Sequence, residues 1–323
     1  MTPTYHHLFG PVPSRRFGRS LGVDLTPHKT CSQDCVFCQL GPTSRKTVTR
    51  KAFVSSDSVC RELDRWCRSG DWANFITLSG SGEPTLHMEF GEVLDHIRTA
   101  AKAPAVLLTN GSLLWMPDVR EAACRADIVK ISLSAWDQAS FVRVNRPHPA
   151  LAFDRVVAGF HKFRALYSGQ LWLEVFLVKN WNTVADNVSR IAAIADRIRP
   201  DRIHLNTVDR PPAVADARTL TAGEMTALVG LFHPKAEIPE VAAHIAGWAA
   251  PALKAAILSM VDRRPCTSKQ IADAFRANTV EVVKILSTLV KAGRISVRSL
   301  NGRQFFMHTS TAEHSVDTLT KAG

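Results

Sequence analysis

Thr30-Cys31-Ser32-Gln33-Asp34-Cys35-Val36-Phe37-Cys38-Gln39 sets three cysteines at C-x3-C-x2-C spacing directly behind a short apolar run, residues 21–25. Three thiolates so close together grip one metal centre from a single loop and leave its fourth coordination position open. A structural zinc site closes its shell with four protein ligands, whereas a catalytic centre keeps a position free. His28 lies three residues ahead of Cys31 and would complete a zinc shell. On spacing alone, zinc and an iron–sulfur cluster both stand.

The 323 residues suffice for one barrel-sized domain and a small appendage. Hydrophobic content of 46% and charged content of 21% describe an ordinary globular chain. No apolar run of about 18 residues is present, so no membrane helix is expected, and the first residues lack the charged-then-apolar pattern of a secretory signal. The expectation is a cytoplasmic protein. In that reducing compartment the seven cysteines read as metal ligands or core residues before disulfides. The net charge of +11 is uneven: residues 1–51 hold eight Lys/Arg against two acids, and residues 251–308 hold ten against three. Two basic ends on a near-neutral middle point to an anionic partner, with nucleic acid first among the candidates.

Gly10-Pro11-Val12-Pro13 reads as a loop, followed by Arg15, Arg16 and Arg19, which either clamp an anion or decorate a solvated turn. A first strand is expected at 20–25. Asp57 or Ser58 caps a helix to about Arg68 whose buried face carries Val59, Leu63, Trp66 and Cys67. Cys60 and Cys67 on it are core cysteines or, less simply, a second metal pair. Further apolar strands fall at 75–78, 106–108, 128–133, 171–178 and 202–205, alternating with helical segments. Polar residues recur where these strands end: the cysteines, Glu83, Asn110, Ser132, Lys179 and Asn206. Such alternation argues an α/β fold with a parallel sheet, and in a βα barrel that rim is where a site is built. Residues 211–250 form a proline-bearing connector with a Thr221–Glu224 capping box. Three helices at 253–261, 268–275 and 279–291, then strands at 294–300 and 303–308 joined by Asn301-Gly302, resemble a winged helix with a tail at 311–323.

The cysteine loop, with aromatic Phe37 before the last cysteine, resembles the signature of the radical S-adenosylmethionine (SAM) superfamily. Gly80-Ser81-Gly82-Glu83-Pro84 is similar to the family's Gly-Gly-Glu motif. Gly10-Pro11-Val12-Pro13-Ser14-Arg15-Arg16, Asn145-Arg146-Pro147 and Leu205-Asn206-Thr207-Val208 resemble a wyosine-synthase-like subgroup. The resemblance implies a partial (βα)6 TIM-like barrel over residues 1–210 and a small winged-helix domain at 251–310. It also implies a [4Fe-4S] cluster on Cys31, Cys35 and Cys38, with SAM on the fourth iron. Glu83 then meets the methionine amino group, Gly82 lets the loop approach, and Thr109, Asn110 and Ser132 lie near the carboxylate or ribose. Phe37 packs toward the adenine. The implied reaction is reductive SAM cleavage to a 5′-deoxyadenosyl radical, which abstracts hydrogen from an unidentified substrate, with tRNA among the candidates. Its partners are a low-potential donor of flavodoxin or ferredoxin type, and nucleic acid through the basic N-terminal loop and winged helix. An iron–sulfur DNA-binding regulator is the alternative. Two departures stand out: Ser134 replaces an aspartate common in relatives, and no cysteine precedes Cys31 to hold a second cluster. Lys179 is a Schiff-base candidate or an ordinary rim cation.

Overall fold

The computed structural model describes residues 5–14, 16–239, 250–275 and 277–309; Arg15, the end of the connector and the expected tail at 311–323 lie outside them. Contacts divide the chain into two compact units, Met1–Ala243 and His244–Gly323. The first unit opens on an antiparallel hairpin, β1 (Leu8–Ser14) and β2 (Gly18–Val23), where the prolines suggested a loop. Pro11 and Pro13 are tolerated because β1 is an edge strand, where a missing N–H leaves no neighbour unpaired. Gly10, at φ +94°, sits where the register shifts between Phe9 and Val12.

Two short strands, β3 (Thr30–Cys31) and β4 (Arg45–Lys46), pair in parallel beside the cysteine loop. Helix α1 (Ser56–Arg68) is capped by Ser55, whose side chain accepts from the Ser58 N–H. Asp57, one of the two expected caps, lies instead in the first turn, where its charge suits the positive helix end. The alternation then runs β5 (Phe75–Leu78), α2 (Phe90–Ala100), β6 (Ala105–Thr109), α3 (Pro117–Ala123) and β7 (Ile128–Leu133). It continues through α4 (Gln138–Asn145), α5 (Phe153–Leu166), β8 (Gln170–Leu177), α6 (Ala185–Ile198) and β9 (Arg202–Thr207). The sheet order is β1-β2-β5-β6-β7-β8-β9, and every pair after the hairpin is parallel. The six expected strands are therefore present, with an antiparallel edge added. β1 and β9 are both edges, so the barrel is not closed.

Strand alternation separates two faces of this sheet. One carries Leu21, Val23, Ile76, Leu107, Val129, Ile131, Leu173 and Leu205 into the main core, packed with Leu63, Phe90, Phe160 and Ile191 of the helices. On the other face the register rows read Leu108–Lys130–Trp172 and, nearer the C-terminal strand ends, Ser132–Glu174–His204. The hairpin turn crosses to this face. Phe17 stacks on Trp172 with ring centroids 5.1 Å apart and planes 3° apart, and meets Phe75 edge-on at 5.3 Å. β5, which carries Phe75, and β8, which carries Trp172, are separated by β6 and β7. A single side chain touching both requires the sheet to curl around it. Beside it Arg16 pairs with Glu174, whose Oε1 also accepts from Lys130 Nζ at 2.9 Å and Asn206 Nδ2 at 3.3 Å. Arg19 pairs with Asp71 and lies over Trp72. Arg16 and Arg19 thus serve internal contacts rather than a solvated loop.

Behind β9, the expected capping box forms: the Glu224 N–H donates to Thr221 Oγ1 at 3.2 Å and the Thr221 N–H to Glu224 Oε2 at 2.7 Å. It starts α7 (Ala222–Leu228), and a 3₁₀ turn, Val229–Leu231, completes the run. The second unit contains α8 (Ala250–Arg263), α9 (Ser268–Phe275), α10 (Thr279–Lys291) and the hairpin β10 (Ile295–Leu300) and β11 (Arg303–His308). Asn301 and Gly302 take φ of 49° and 71°, the paired positive values a tight hairpin turn requires. Leu253, Ile257, Ile271, Phe275, Leu286 and Phe305 are among its buried apolar residues.

His204, 3% exposed, is held down to about 4 by burial and then by the charges of Arg16 and Lys130. An unfolded histidine titrates near 6.5, so the unfolded chain binds the extra proton between those values. Stability is full above about pH 6.5 and falls as the pH drops toward 4. Urea unfolding of the apoprotein should show about 2 kcal/mol lost to this residue at pH 5 relative to pH 7. His204→Gln should remove that part of the loss, and an unchanged pH dependence in the variant would refute the assignment.

Candidate metal centre

The cysteine loop takes its shape from braces. After Cys31 the chain turns so that the Cys38 N–H donates to the Cys35 carbonyl at 3.0 Å and the Gly41 N–H to that of Cys38 at 3.1 Å. Helix α4 ends at Arg146 in the left-handed region, φ 45°, which folds the following residues back on the loop. The Asp34 N–H donates to the Asn145 carbonyl at 3.1 Å and the Val36 N–H to that of Val144 at 3.0 Å. The His148 N–H donates to the Ser32 carbonyl at 2.8 Å, and Gln33 forms a bridge with Pro147. Asn145-Arg146-Pro147, noticed in the sequence only as a pattern, is the clamp on this loop.

Each of the three sulfurs has a side-chain nitrogen near it. Asn110 Nδ2 lies 3.5 Å from Cys31 Sγ, Asn145 Nδ2 3.4 Å from Cys35 Sγ, and Lys29 Nζ 3.2 Å from Cys38 Sγ. Burial, then the Glu83 carboxyl, push Cys31 up to about 12, with Cys38 adding to the rise and Lys29 opposing it. Cys35 is pushed well above its usual range by burial and by Cys31 and Cys38, while Asn145 and Lys29 draw it down. As bare thiols Cys31 and Cys35 keep their protons. A bound cation reverses that logic, because a coordinating thiol is deprotonated outright. Among the described residues no three His, Cys, Asp or Glu groups converge to hold a single metal ion. In a cluster each thiolate holds its own iron, and here each of the three sulfurs has its own nitrogen donor. The donor set therefore fits a cluster.

Glu83 joins the loop to the neighbouring strand ends. It is 2% exposed, and its Oε1 accepts from the Thr85 N–H at 3.1 Å, Thr85 Oγ1 at 2.7 Å and Thr109 Oγ1 at 2.6 Å. Oε2 accepts from the Asn110 N–H at 2.8 Å. Burial raises its pKa against the pull of these bonds. The Glu83 N–H donates to the Thr30 carbonyl at 3.0 Å, so the same residue touches the cysteine loop through its backbone. This contact is why Gly82 is glycine: a Cβ there would stand 1.9 Å from the Thr30 oxygen. Asp24, at the end of β2, accepts from Ser81 Oγ at 2.6 Å and from its N–H at 3.1 Å, setting the loop from below. Asn110 Nδ2 also donates to Ser32 Oγ at 2.9 Å, and Ser32 Oγ lies 2.7 Å from Ser112 Oγ. Phe37 stacks on Phe176 of β8 at 4.1 Å, both rings half-exposed. Ser132 stands half-exposed on β7, in register with Glu174.

Glu83, Thr109 and Asn110 thus meet directly, Gly82 brings them against Thr30, and Asn110 reaches Cys31, while Cys35 and Cys38 follow on the same loop. Phe37 lies in that loop against β8, and Ser132 lies on β7. Lys29 and Asn145 are additions that sequence reasoning passed over; the only signal was a lone cation ahead of Cys31 and the Asn145-Arg146-Pro147 pattern. Lys179 ion-pairs with Glu224 at 2.7 Å and is 40% exposed in its side chain. It is a rim cation, without the burial that an activated Schiff-base lysine needs. Cys67 and Cys124 pack against the core, and Ser134 is 2% exposed with its hydroxyl unpaired.

A curled α/β sheet with three thiols and a bonded carboxylate at its C-terminal strand ends defines a cluster-bearing enzyme class. The radical SAM superfamily model matches residues 25–186, and the chain belongs to that superfamily of enzymes, which uses a [4Fe-4S] cluster and SAM. A UPF0026 protein of Helicobacter pylori is 31% identical over 309 residues, covering 93% of this chain and 96% of that one. A Brachyspira hyodysenteriae protein named GTPase Obg is 33% identical over 299 residues, but this chain spans 44% of its length. Among solved structures, Streptococcus suis SuiB bound to precursor peptide SuiA matches with a TM-score of 0.50 at 13% identity. That match covers 70% of this chain and 49% of that one, a likeness of fold alone. No helix among the described residues is long and apolar enough to cross a membrane.

Gly82→Ala should destabilise the protein by about 3 kcal/mol, the upper range for overpacking, because the clash is with backbone. Gly223→Ala, in α7 with nothing within 4 Å, is the control. Urea midpoints compare the two. Equal midpoints would remove the packing explanation for Gly82.

Proposed function

We propose that Cys31, Cys35 and Cys38 hold a [4Fe-4S] cluster that opens the sulfonium of SAM and directs the resulting 5′-deoxyadenosyl radical to hydrogen abstraction from a substrate. When bound, the cluster supplies the single electron for that cleavage and the protein supplies orientation and exclusion of water. The observation that carries this reading is the contact of Cys31 with Asn110, which ties the three-cysteine loop to the Glu83–Thr109–Asn110 junction. Glu83 Oε2 takes one hydrogen bond from Asn110, and a carboxylate oxygen accepts two, which supports its receiving the ammonium of SAM. The half-exposed Phe37–Phe176 stack supports an aromatic wall for the adenine. Gly82 acts through the close approach it permits, and Thr109, Asn110 and Ser132 line the carboxylate and ribose side.

Exposed Arg45 and Lys46, paired in register with Thr30 and Cys31, support an acidic low-potential donor of flavodoxin or ferredoxin type. The second unit is a winged helix in this reading, following the core at 1–210 and the connector at 211–250. Its exposed Lys284, Lys291, Arg294, Arg298 and Arg303 support contact with nucleic acid. The N-terminal arginines do not add to that support, since Arg16 and Arg19 turn inward. The wyosine-like kinship rests partly on Asn145-Arg146-Pro147, and that segment braces the cysteine loop. It therefore speaks for the cluster, and leaves tRNA as one candidate substrate.

Anaerobic reconstitution should give about four irons per chain, and reductant with SAM should release 5′-deoxyadenosine. Cys35→Ala should lose both the full iron content and the cleavage. Retention of cleavage in that variant would overturn the proposal.

A further inference from the structure

Lys29 is a buried ammonium with no carboxylate to answer it among the described residues. The residue is 5% exposed, and its Nζ donates to Cys38 Sγ at 3.2 Å and to the Gly41 carbonyl. No Asp or Glu among the described residues forms an ion pair with it. Its backbone sits in the left-handed region, φ 58°, which L residues adopt at a cost. Two backbone bonds hold it there: the Lys29 N–H donates to the Ser81 carbonyl at 2.7 Å, and its own carbonyl accepts from the Arg45 N–H at 3.1 Å. A charge kept out of water in a constrained conformation needs a negative partner to persist. The groups its ammonium faces are Cys38 Sγ and a carbonyl. The anion it answers is a thiolate centre.

We infer that Lys29 is the fixed counter-charge of the cluster, a positioning residue placed to ease one-electron reduction from the external donor. The inference rests on the reading of Cys31, Cys35 and Cys38 as ligands. The reduced centre and its thiolates carry one more negative charge than the oxidised form. An ammonium at 3.2 Å from a ligand sulfur favours the more negative form, and its hydrogen bond draws electron density from that sulfur. The electron comes from the external donor, and Lys29 contributes only the fixed position of its side chain. Asn110 and Asn145 offer neutral donors to the other two sulfurs. Lys29 alone of the three brings a full charge, so its removal shifts the redox balance most.

The test is an anaerobic redox titration of the reconstituted full chain, followed by electron paramagnetic resonance without SAM, with iron counted in each sample. Lys29→Met should lower the equilibrium constant for reduction about tenfold, ~59 mV for a one-electron couple, at unchanged iron content. Lys29→Arg should restore most of that shift. An unchanged midpoint in Lys29→Met at full iron content overturns the inference. Should Lys29→Met fail to load, Lys29→Gln takes its place under the same criterion. Loading restored by Arg but by neither neutral residue supports the counter-charge, while loss in all three makes the role structural and overturns it. A wild-type chain that takes up no cluster instead brings down the reading of the cysteines themselves.

Discussion

A thiol surrounded by protein holds its proton, and a neighbouring carboxyl or thiol makes it hold harder. Cys31 and Cys35 show both effects, since burial and neighbouring thiols raise them. A site of this kind is useful only when a cation and nitrogen donors compensate the charge that ligation creates. The donors come from three separate places: Lys29 just ahead of the loop, Asn110 at the end of β6, and Asn145 at the end of α4. Much of the local architecture is the means of delivering these three nitrogens. The left-handed turns at Lys29 and Arg146, both unusual for such side chains, are where delivery required them.

Glu83 answers a related problem with different means. A carboxylate at 2% exposure would be expelled or neutralised if left alone. Four hydrogen bonds from Thr85, Thr109 and Asn110 make it instead the joint between two strand ends, and Gly82 sets that joint against Thr30. On the face that carries Lys130 and Glu174, Phe17 lies against Trp172 of β8 as well as Phe75 of β5, which only a curled sheet allows.

Apolar strands and polar strand ends were visible in the sequence because a parallel strand covered on both sides is a run of Val, Ile and Leu ending at a loop. That pattern placed β5 to β9, and the cysteine spacing placed the metal loop. β1 was invisible, since proline tells against a strand and only knowledge of the edge position removes the objection. Lys130 and His204 were hidden inside runs that read as uniformly buried; their significance depends on Arg16, reaching in from a turn that sequence alone presents as solvated. Ser55 caps α1 two residues before Asp57 and three before Ser58, within the range over which neighbouring Ser and Asp side chains compete. Asn145 could not be assigned because its partner lies far away in the chain. Residues that fold onto a motif leave no mark beside it.

That separation has a consequence for how the protein is made. Cys35 and Asn145 are 110 positions apart, yet Asn145 and the two residues after it give the cysteine loop its form. A ribosome adding roughly 5–20 residues per second needs roughly 5–20 s to cover that distance. The cysteine loop leaves the ribosome that much earlier than the segment that braces it. Its native shape is reached only after α4 has emerged and docked, however early the loop itself is made.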